Sequence, residues 1–385
     1  MTRILIVIAF ASFAAALFAR MTDPMVPQIA ADLAVDPHSV ALLGTAFALP
    51  WALVQLVLGP VGDLVGKTRV ITVCLVILVV SAVIGAFATS FPVLLASRIL
   101  AGAAAGGVSP VAMAFVSDLV AVESRQVAIG RVLTANITGI LLGGTVSGVL
   151  ADFIGWRSIF VVTAACAALA TLAALMVLRA AEPKPVGRVS IAGAIENYRQ
   201  LLANPRTKIC YSAVFIEGIT LFGIFPYVAL LLLDRGEGRA SIAGLVISGF
   251  ALGGILYAIS VRPLVTRFAT RTLMSAGGAI AAAGLLLESA QPPWQVQFVA
   301  LAAMGFGFYL LHSCIMVQMT ELAPSARGTA VAGHASAYYF GQALGPVMYG
   351  LGFTALGAAP TMIVCAIVVI AIGLVVPRLL FSGPP

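Results

Sequence analysis

Charge is scarce in this chain: of its 385 residues only 9% are Asp, Glu, Lys or Arg, while 61% are hydrophobic. The mean hydropathy is +1.11. A soluble domain carries about a quarter of its residues as charged side chains, so an aqueous surface of the ordinary kind is excluded and lipid is the expected solvent. Cysteine is sparse and unpatterned. Cys74, Cys166, Cys210, Cys314 and Cys365 lie inside or at the edge of apolar runs, with no Cys-x-x-Cys pair, and so point to no metal, redox centre or disulfide. Strand alternation is missing too, and no apolar run has the length of a barrel strand. Unpaired backbone is not tolerated in lipid, so the runs are read as helices. His-Glu-x-x-His, paired aspartates in adjacent helices and an appended soluble domain are all lacking, which argues against an enzyme or a receptor.

One charge sign is in excess, with a net charge of +7. In a soluble protein that excess suggests nucleic acid. Here the basic residues collect on one side of the apolar runs, and no nucleic-acid partner is expected.

What is present is a series of long apolar stretches. A bilayer core takes about 20 apolar residues per helix. The runs fall near 4–29, 40–61, 70–89, 92–117, 127–152, 158–178, 209–233, 242–261, 272–290, 295–320, 328–355 and 360–376, which makes twelve. Arg3 followed by residues 4–19 has the look of a signal peptide. A retained first helix is the better reading, because Met25, Val26 and Ile29 extend the run and the internal repeat needs it. Basic residues set the orientation. With both termini in the cytoplasm, 15 of the 21 Lys and Arg fall on the cytoplasmic side, 3 (Arg157, Arg235 and Arg239) on the other, and 3 (Arg20, Arg98 and Arg131) within helices.

Residues 179–208, with Pro183, Pro185 and Pro205 and six basic residues, form a polar linker. Within it, 191–202 suits a short amphipathic helix on the membrane surface. The expected organisation is therefore a six-helix bundle over 1–178, a cytoplasmic linker over 179–208 and a second six-helix bundle over 209–385. The halves repeat at an offset near 202. Gly139, Gly143 and Gly148 match Gly341, Gly345 and Gly350; Pro24 matches Pro226; Arg125 matches Arg327. One residue further along, Phe47-Ala48-Leu49 matches Phe250-Ala251-Leu252. Parallel repeats of six helices are a transporter architecture with the site near the membrane midplane.

The loop between the second and third runs reads Gly59-Pro60-Val61-Gly62-Asp63-Leu64-Val65-Gly66-Lys67-Thr68-Arg69. Its Gly-Lys-Thr is not a phosphate loop, since Val61 stands where the leading glycine is needed and no buried strand precedes it. The loop instead resembles the signature loop of the major facilitator superfamily, Gly-x-x-x-Asp-(Arg/Lys)-x-Gly-Arg-(Arg/Lys). Gly59, Asp63 and Gly66 match and Lys67 is conservative, while Leu64 and Thr68 depart from the basic positions. The resemblance implies an all-α integral membrane fold, with twelve transmembrane helices in two pseudo-symmetric bundles. It also implies that Asp63 meets the N-terminus of the eleventh helix near Gly328 and Thr329, where free amides and the helix dipole favour a carboxylate, and locks the cytoplasmic side. The departures imply a looser lock.

Arg98, Gly102 and Gly106 resemble the family's Arg-x-x-x-Gly motif in the fourth helix, where the arginine is tied to proton coupling. The competing reading is a snorkelling or helix-bridging arginine. Gly139, Gly143, Gly144, Ser147 and Gly148 resemble the motif that marks antiporters, with Gly144 replacing a proline and Ser147 a glycine. Plain small-residue packing is the alternative. Gly155-Trp156-Arg157-Ser158-Ile159-Phe160 resembles the Gly-Trp-Arg-x-x-Phe of the drug–proton antiporter branch, and Trp156 and Arg157 also suit a membrane interface.

Ionisable residues inside a membrane are costly and mark function by default. Arg20 and Asp23 share one face of the first run beside Pro24. Glu217 lies near the middle of the seventh run, His312 in the tenth and His334 in the eleventh. Asp23 and Glu217 are expected to sit in facing halves of a central cavity, where proton and substrate compete. Trp51, Gln55, Tyr227, Tyr257, Tyr309, Tyr338, Tyr339 and Gln342 are candidate walls. The plainer readings are a static Arg20–Asp23 ion pair, polar packing for His312 and His334, and a solvated Glu288 at an outer helix end.

The expected activity is secondary active transport by alternating access, with proton-coupled efflux of a drug-like compound or metabolite as the leading form. Proton symport or facilitated uptake of a small organic anion or metabolite is the alternative, and a non-transporting membrane receptor or enzyme the reading from another class. The expected partners are a small-molecule substrate, protons and the lipid bilayer, with no cofactor and no metal. The expected state is a monomer, multi-pass in a bacterial inner membrane.

Overall fold

The computed structural model describes residues 2–178, 191–322 and 327–381, and every regular element among them is helical. The chain divides into two compact units, Met1–Ile191 with Arg239–Ser241, and Ala192–Gly238 with Ile242–Pro385.

The first unit holds α1 (Thr2–Leu17), a 3₁₀ turn (Asp23–Met25), α2 (Val26–Leu33), α3 (Pro37–Val65), α4 (Lys67–Ala86), α5 (Phe91–Leu119) and α6 (Val122–Val177). Local chemistry sets its boundaries. Asp36 caps α3 by accepting from the Ser39 N–H at 2.9 Å, with Pro37 in the first turn. The link from α3 to α4 is Gly66 alone, at φ 102°. The 56 residues of α6 would extend about 84 Å if straight, far beyond a bilayer. Gly155 divides them, at φ 74° and ψ 159°, a conformation open to glycine and to almost nothing else.

The second unit holds α7 (Ile191–Ala203), α8 (Pro205–Phe222), α9 (Phe225–Leu233), α10 (Ala240–Arg267), α11 (Thr270–Ser289), α12 (Trp294–Glu321), α13 (Arg327–Leu356) and α14 (Ala358–Phe381). Asn204 caps α8 through the Arg206 N–H at 3.0 Å. The amphipathic stretch of the linker does form a helix, α7. It also docks: Leu201 is buried in a core with Cys210, Met319 and Leu380.

Nine helical stretches among the described residues are long and apolar enough to cross a membrane, one of them within the kinked α6. The first and seventh apolar runs are each broken rather than continuous. A proline cannot bond the carbonyl four residues before it. For Pro24 that carbonyl belongs to Arg20, inside the gap between α1 and the 3₁₀ turn; for Pro226 it belongs to Phe222, the last residue of α8.

The repeat read from glycines reappears in the packing. A Cβ built on Gly139 would lie 2.5 Å from the Phe13 carbonyl oxygen of α1, and Gly341 meets the Phe215 carbonyl of α8 in the same way. Gly143 abuts the Leu17 carbonyl, and Gly345 the Ile219 carbonyl at 3.0 Å. Each of these pairs is offset by 202. Gly102 on Phe47 and Gly305 on Phe250 repeat at 203. Such close backbone approach needs residues without side chains.

Candidate functional site

Each unit carries its own polar cluster at the break in its first long run. In the first unit, Asp23 opens the 3₁₀ turn and is 1% exposed. Arg20 Nη1 donates to its Oδ2 at 3.3 Å. Arg98 reaches across from α5 and donates through Nη1 to the Phe18 carbonyl at 2.9 Å, with its guanidinium 4.5 Å from the Phe47 ring centroid. The end of α1 leaves carbonyls without helical partners, and Arg98 takes one of them. It is fully buried, so it bridges helices rather than snorkelling, and its Nε and Nη2 have no hydrogen-bond partner.

The second unit solves the same problem with another side chain. The Tyr349 hydroxyl of α13 donates to the Thr220 carbonyl at 2.6 Å. Thr220 stands 202 residues after Phe18, so two equivalent carbonyls are held by an arginine in one unit and a tyrosine in the other. Sequence reasoning missed Tyr349, which looks like any membrane tyrosine.

Around that break the charges of the first unit are replaced by rings. Arg20 and Asp23 correspond to Phe222 and Phe225. Phe222 stacks among Phe225, Phe250, Phe308 and Tyr338, with centroids 5.0–5.3 Å away. Beside this aromatic cluster stands the acid of the second unit. Glu217 on α8 has no solvent exposure, and its Oε2 lies 2.8 Å from His312 Nδ1 on α12. Glu217 Oε1 has no partner. The His312 ring, 16% exposed, is 4.7 Å from both the Phe308 and His334 centroids and 5.1 Å from that of Tyr338. The sequence identified Glu217, His312 and His334 separately; the fold brings them together.

Other expected positions sort differently. Trp51 and Tyr227 are buried, and the Tyr227 hydroxyl donates to the Pro346 carbonyl at 2.8 Å, so Tyr227 packs α9 against α13. Tyr257 pairs with Ser313 at 2.6 Å. Gly139 and Gly143 lie against α1, while Gly144 and Gly148 are buried in the same helix, α6. Glu288 is 1% exposed, which corrects the expectation of a solvated acid. The cause is helical periodicity: Glu288 lies three residues after Leu285 and seven after Ala281, on the buried face of α11. Trp156 is buried and its Nε1 donates to Asp32 at 3.2 Å, while Arg157 bonds both Asp32 and the Ala88 carbonyl.

In the gate loop, Lys67 at the start of α4 pairs with Asp118 at the end of α5, a partner the motif did not name. Gly66 supplies the turn and Arg69 is exposed. The side chains at Gly59, Asp63 and Gly328 lie outside the described residues, and with them the expected lock.

This architecture has known relatives. The family model described as Major Facilitator Superfamily matches residues 8–346 and again 237–385. The chain belongs to the major facilitator superfamily. It is therefore a multi-pass membrane transporter and not an enzyme. Among similar proteins, Multidrug resistance protein 1 of Bacillus subtilis (strain 168) is 24% identical over 331 residues, covering 86% of this chain and 84% of its own. Quinolone resistance protein NorA of Staphylococcus aureus (strain COL) is 23% identical over 335 residues, with the same shares of 86% and 84%. A solved bacterial homologue of the human lysosomal transporter Spinster, crystallised inward-facing and unoccupied, superposes with a TM-score of 0.76 at 18% identity. It covers 100% of this chain and 99% of its own, and the likeness is one of fold.

Proposed function

We propose that this facilitator exports an amphipathic drug-like compound or metabolite in exchange for protons, by alternating access, in a bacterial inner membrane. The reading includes twelve spans, both termini in the cytoplasm and a monomeric protein. The observation that carries it is the Glu217–His312 pair beside an aromatic cluster. An ionised carboxyl out of water is costly unless something compensates it. A proton on the pair does so, and so does the cationic or hydrogen-bonding end of a substrate whose body lies on the rings. The two compete for one acid, which is the requirement for exchange. Names of relatives such as Multidrug resistance protein 1 support the same direction of transport.

Asp23 already has a cation beside it and is assigned a supporting role, in which the ion pair responds to movement at the break of α1. Asp63, with Gly59, Gly66, Lys67 and Arg69, is assigned to a cytoplasmic lock against the start of α13. The helix containing Gly139, Gly143, Gly144 and Gly148 is assigned the antiporter role through its packing on α1. A second reading has one observation in its favour. Arg20 and Arg98 face a single buried carboxylate, Asp23, and that excess of positive charge suits uptake of a small organic anion.

The test is proton flux in inverted membrane vesicles holding an acid-inside gradient, with ethidium and a panel of cationic, neutral and anionic compounds. A compound that collapses the gradient with the unsubstituted protein, and fails to with Glu217→Gln, is the expected result. A responder that works equally well in Glu217→Gln and Asp23→Asn contradicts the carboxylate assignment. Labelled anions that enter with protons favour the second reading.

A further inference from the structure

The Glu217–His312 pair is not the end of its cluster. Behind His312 stands His334 on α13, fully buried, with neither ring nitrogen hydrogen-bonded. A buried polar group without a partner costs about 1–3 kcal/mol, so an imidazole in that position calls for an explanation. The two histidine rings meet edge to face at 67°, with centroids 4.7 Å apart.

The three side chains also form a descending row. The Tyr211 hydroxyl of α8 donates to the Ala330 carbonyl of α13 at 3.3 Å, so the first turns of α8 and α13 lie at one end of the unit. α12 ends at Glu321, six residues before α13 begins at Arg327, so its last turn lies at that same end. Glu217 is twelve residues into α8, about 18 Å from its start. His312 is nine residues before the end of α12, about 14 Å in. His334 is seven residues into α13, about 10 Å in. Acid, imidazole and imidazole are therefore ordered from the interior toward the end where α7 docks. Tyr211 Oη marks the next step outward, 2.5 Å from where a Cβ on Gly333 would lie.

Resting on the antiport reading above, we propose that His334 is a proton-relay residue carrying the Glu217 proton to the cytoplasmic end of the second unit. The carboxyl proton passes from Glu217 Oε2 to His312 Nδ1, leaving carboxylate and imidazolium. The two rings touch without a hydrogen bond between them, so a turn of one ring brings the imidazolium Nε2–H to a free nitrogen of His334, which takes that proton. His334, closed off from water here, releases its other ring proton when alternating access wets the cytoplasmic end, and both rings return to neutral tautomers. The proton count is conserved at each step and no other reactant is needed. The titratable groups around the row are Tyr198 from α7, Cys210, Tyr211 and Glu217 from α8, Tyr257 from α10, Cys314 from α12 and Tyr338 from α13. The neighbouring helices α11 and α14 bring Leu273, Met274, Ile372 and Val376 to the shared core. No charged side chain among these competes for the proton.

The experiment needs no substrate. The full-length chain in lipid nanodiscs is given an alkaline pH jump, and the carbonyl band that disappears in Glu217→Gln is followed by time-resolved infrared spectroscopy. His334→Gln is expected to slow loss of that band at least about tenfold, with its amplitude unchanged, and added imidazole is expected to restore the rate. An unchanged rate in His334→Gln, with the band present, overturns the relay and leaves Glu217 as the carrier. Loss of the band amplitude together with the rate shows a packing role and also overturns it. Absence of the band from the unsubstituted protein removes the carrier and the relay together.

Discussion

Substituting alanine at two glycines of one helix should give opposite results. Gly143 and Gly130 both lie in α6. A Cβ on Gly143 would meet the Leu17 carbonyl group of α1, with the carbonyl carbon at 3.0 Å and Cα at 3.1 Å. Both are closer than ordinary van der Waals contact, and the obstacle is backbone, which cannot swing aside as a flexible side chain does. A Cβ on Gly130 would meet nothing within 4 Å. Both substitutions gain helix propensity, up to about 1 kcal/mol. Only Gly143→Ala incurs overpacking, about 1–3 kcal/mol. The shared propensity cancels in the comparison, so the difference between the variants is the overpacking alone. At about 2–4 °C per kcal/mol for a unit of this size, Gly143→Ala should melt about 2–12 °C below Gly130→Ala. A thiol-reactive fluorophore suits the assay in detergent, since Cys74, Cys210 and Cys314 are buried until the protein unfolds. Equal midpoints for the two variants would refute the close approach of α6 to α1 and, with it, the packing origin of the repeat. Gly345→Ala, the counterpart in the second unit, should behave like Gly143→Ala.

Three further outcomes follow from individual contacts. Tyr349→Phe strips the Thr220 carbonyl of its donor inside the second unit and should cost about 1–3 kcal/mol, read as a lower melting midpoint; no change would mean another group already satisfies that carbonyl. Asp32→Asn weakens a pair whose side chains are 44% and 38% exposed, so the stability loss should stay within about 1 kcal/mol. A larger loss would show that the Trp156–Asp32 bond matters more than the ion pair. Glu217→Gln keeps side-chain volume, and its amide can donate to His312 Nδ1, so it should alter stability by no more than about 1 kcal/mol while abolishing compound-driven proton flux.

The parts of the fold that are legible in the sequence are those where only one residue type serves. Helix backbones in contact demand glycine, so the spacing of Gly139, Gly143, Gly341 and Gly345 is enough to reveal the repeat. Pro24 and Pro226 mark the breaks, though not their extent. The first break opens at Phe18 because the chain stays non-helical from there to the 3₁₀ turn, and Arg98, eighty residues later, holds the freed carbonyl. Residue type identifies Glu217, His312 and His334 as candidates, but nothing local says that they converge. The Glu217–His312 bond spans 95 residues. Tyr349 is invisible for the same reason, its acceptor lying 129 residues earlier. Glu288 misleads because its position at the end of an apolar run suggests water, whereas it continues the buried face of α11 that holds Ala281 and Leu285.

The central claim is exchange of protons for a compound, and accumulation in proteoliposomes tests it most directly. Purified protein is placed in liposomes with an acidic interior, and ethidium, whose permanent charge prevents trapping by acid alone, is added outside with the other responders from the panel. One pH unit is worth about 1.4 kcal/mol per proton, so one-for-one exchange should sustain about tenfold accumulation inside, absent from protein-free liposomes and from Glu217→Gln. Simple equilibration to equal concentrations, or accumulation only when the gradient is reversed, would contradict the account.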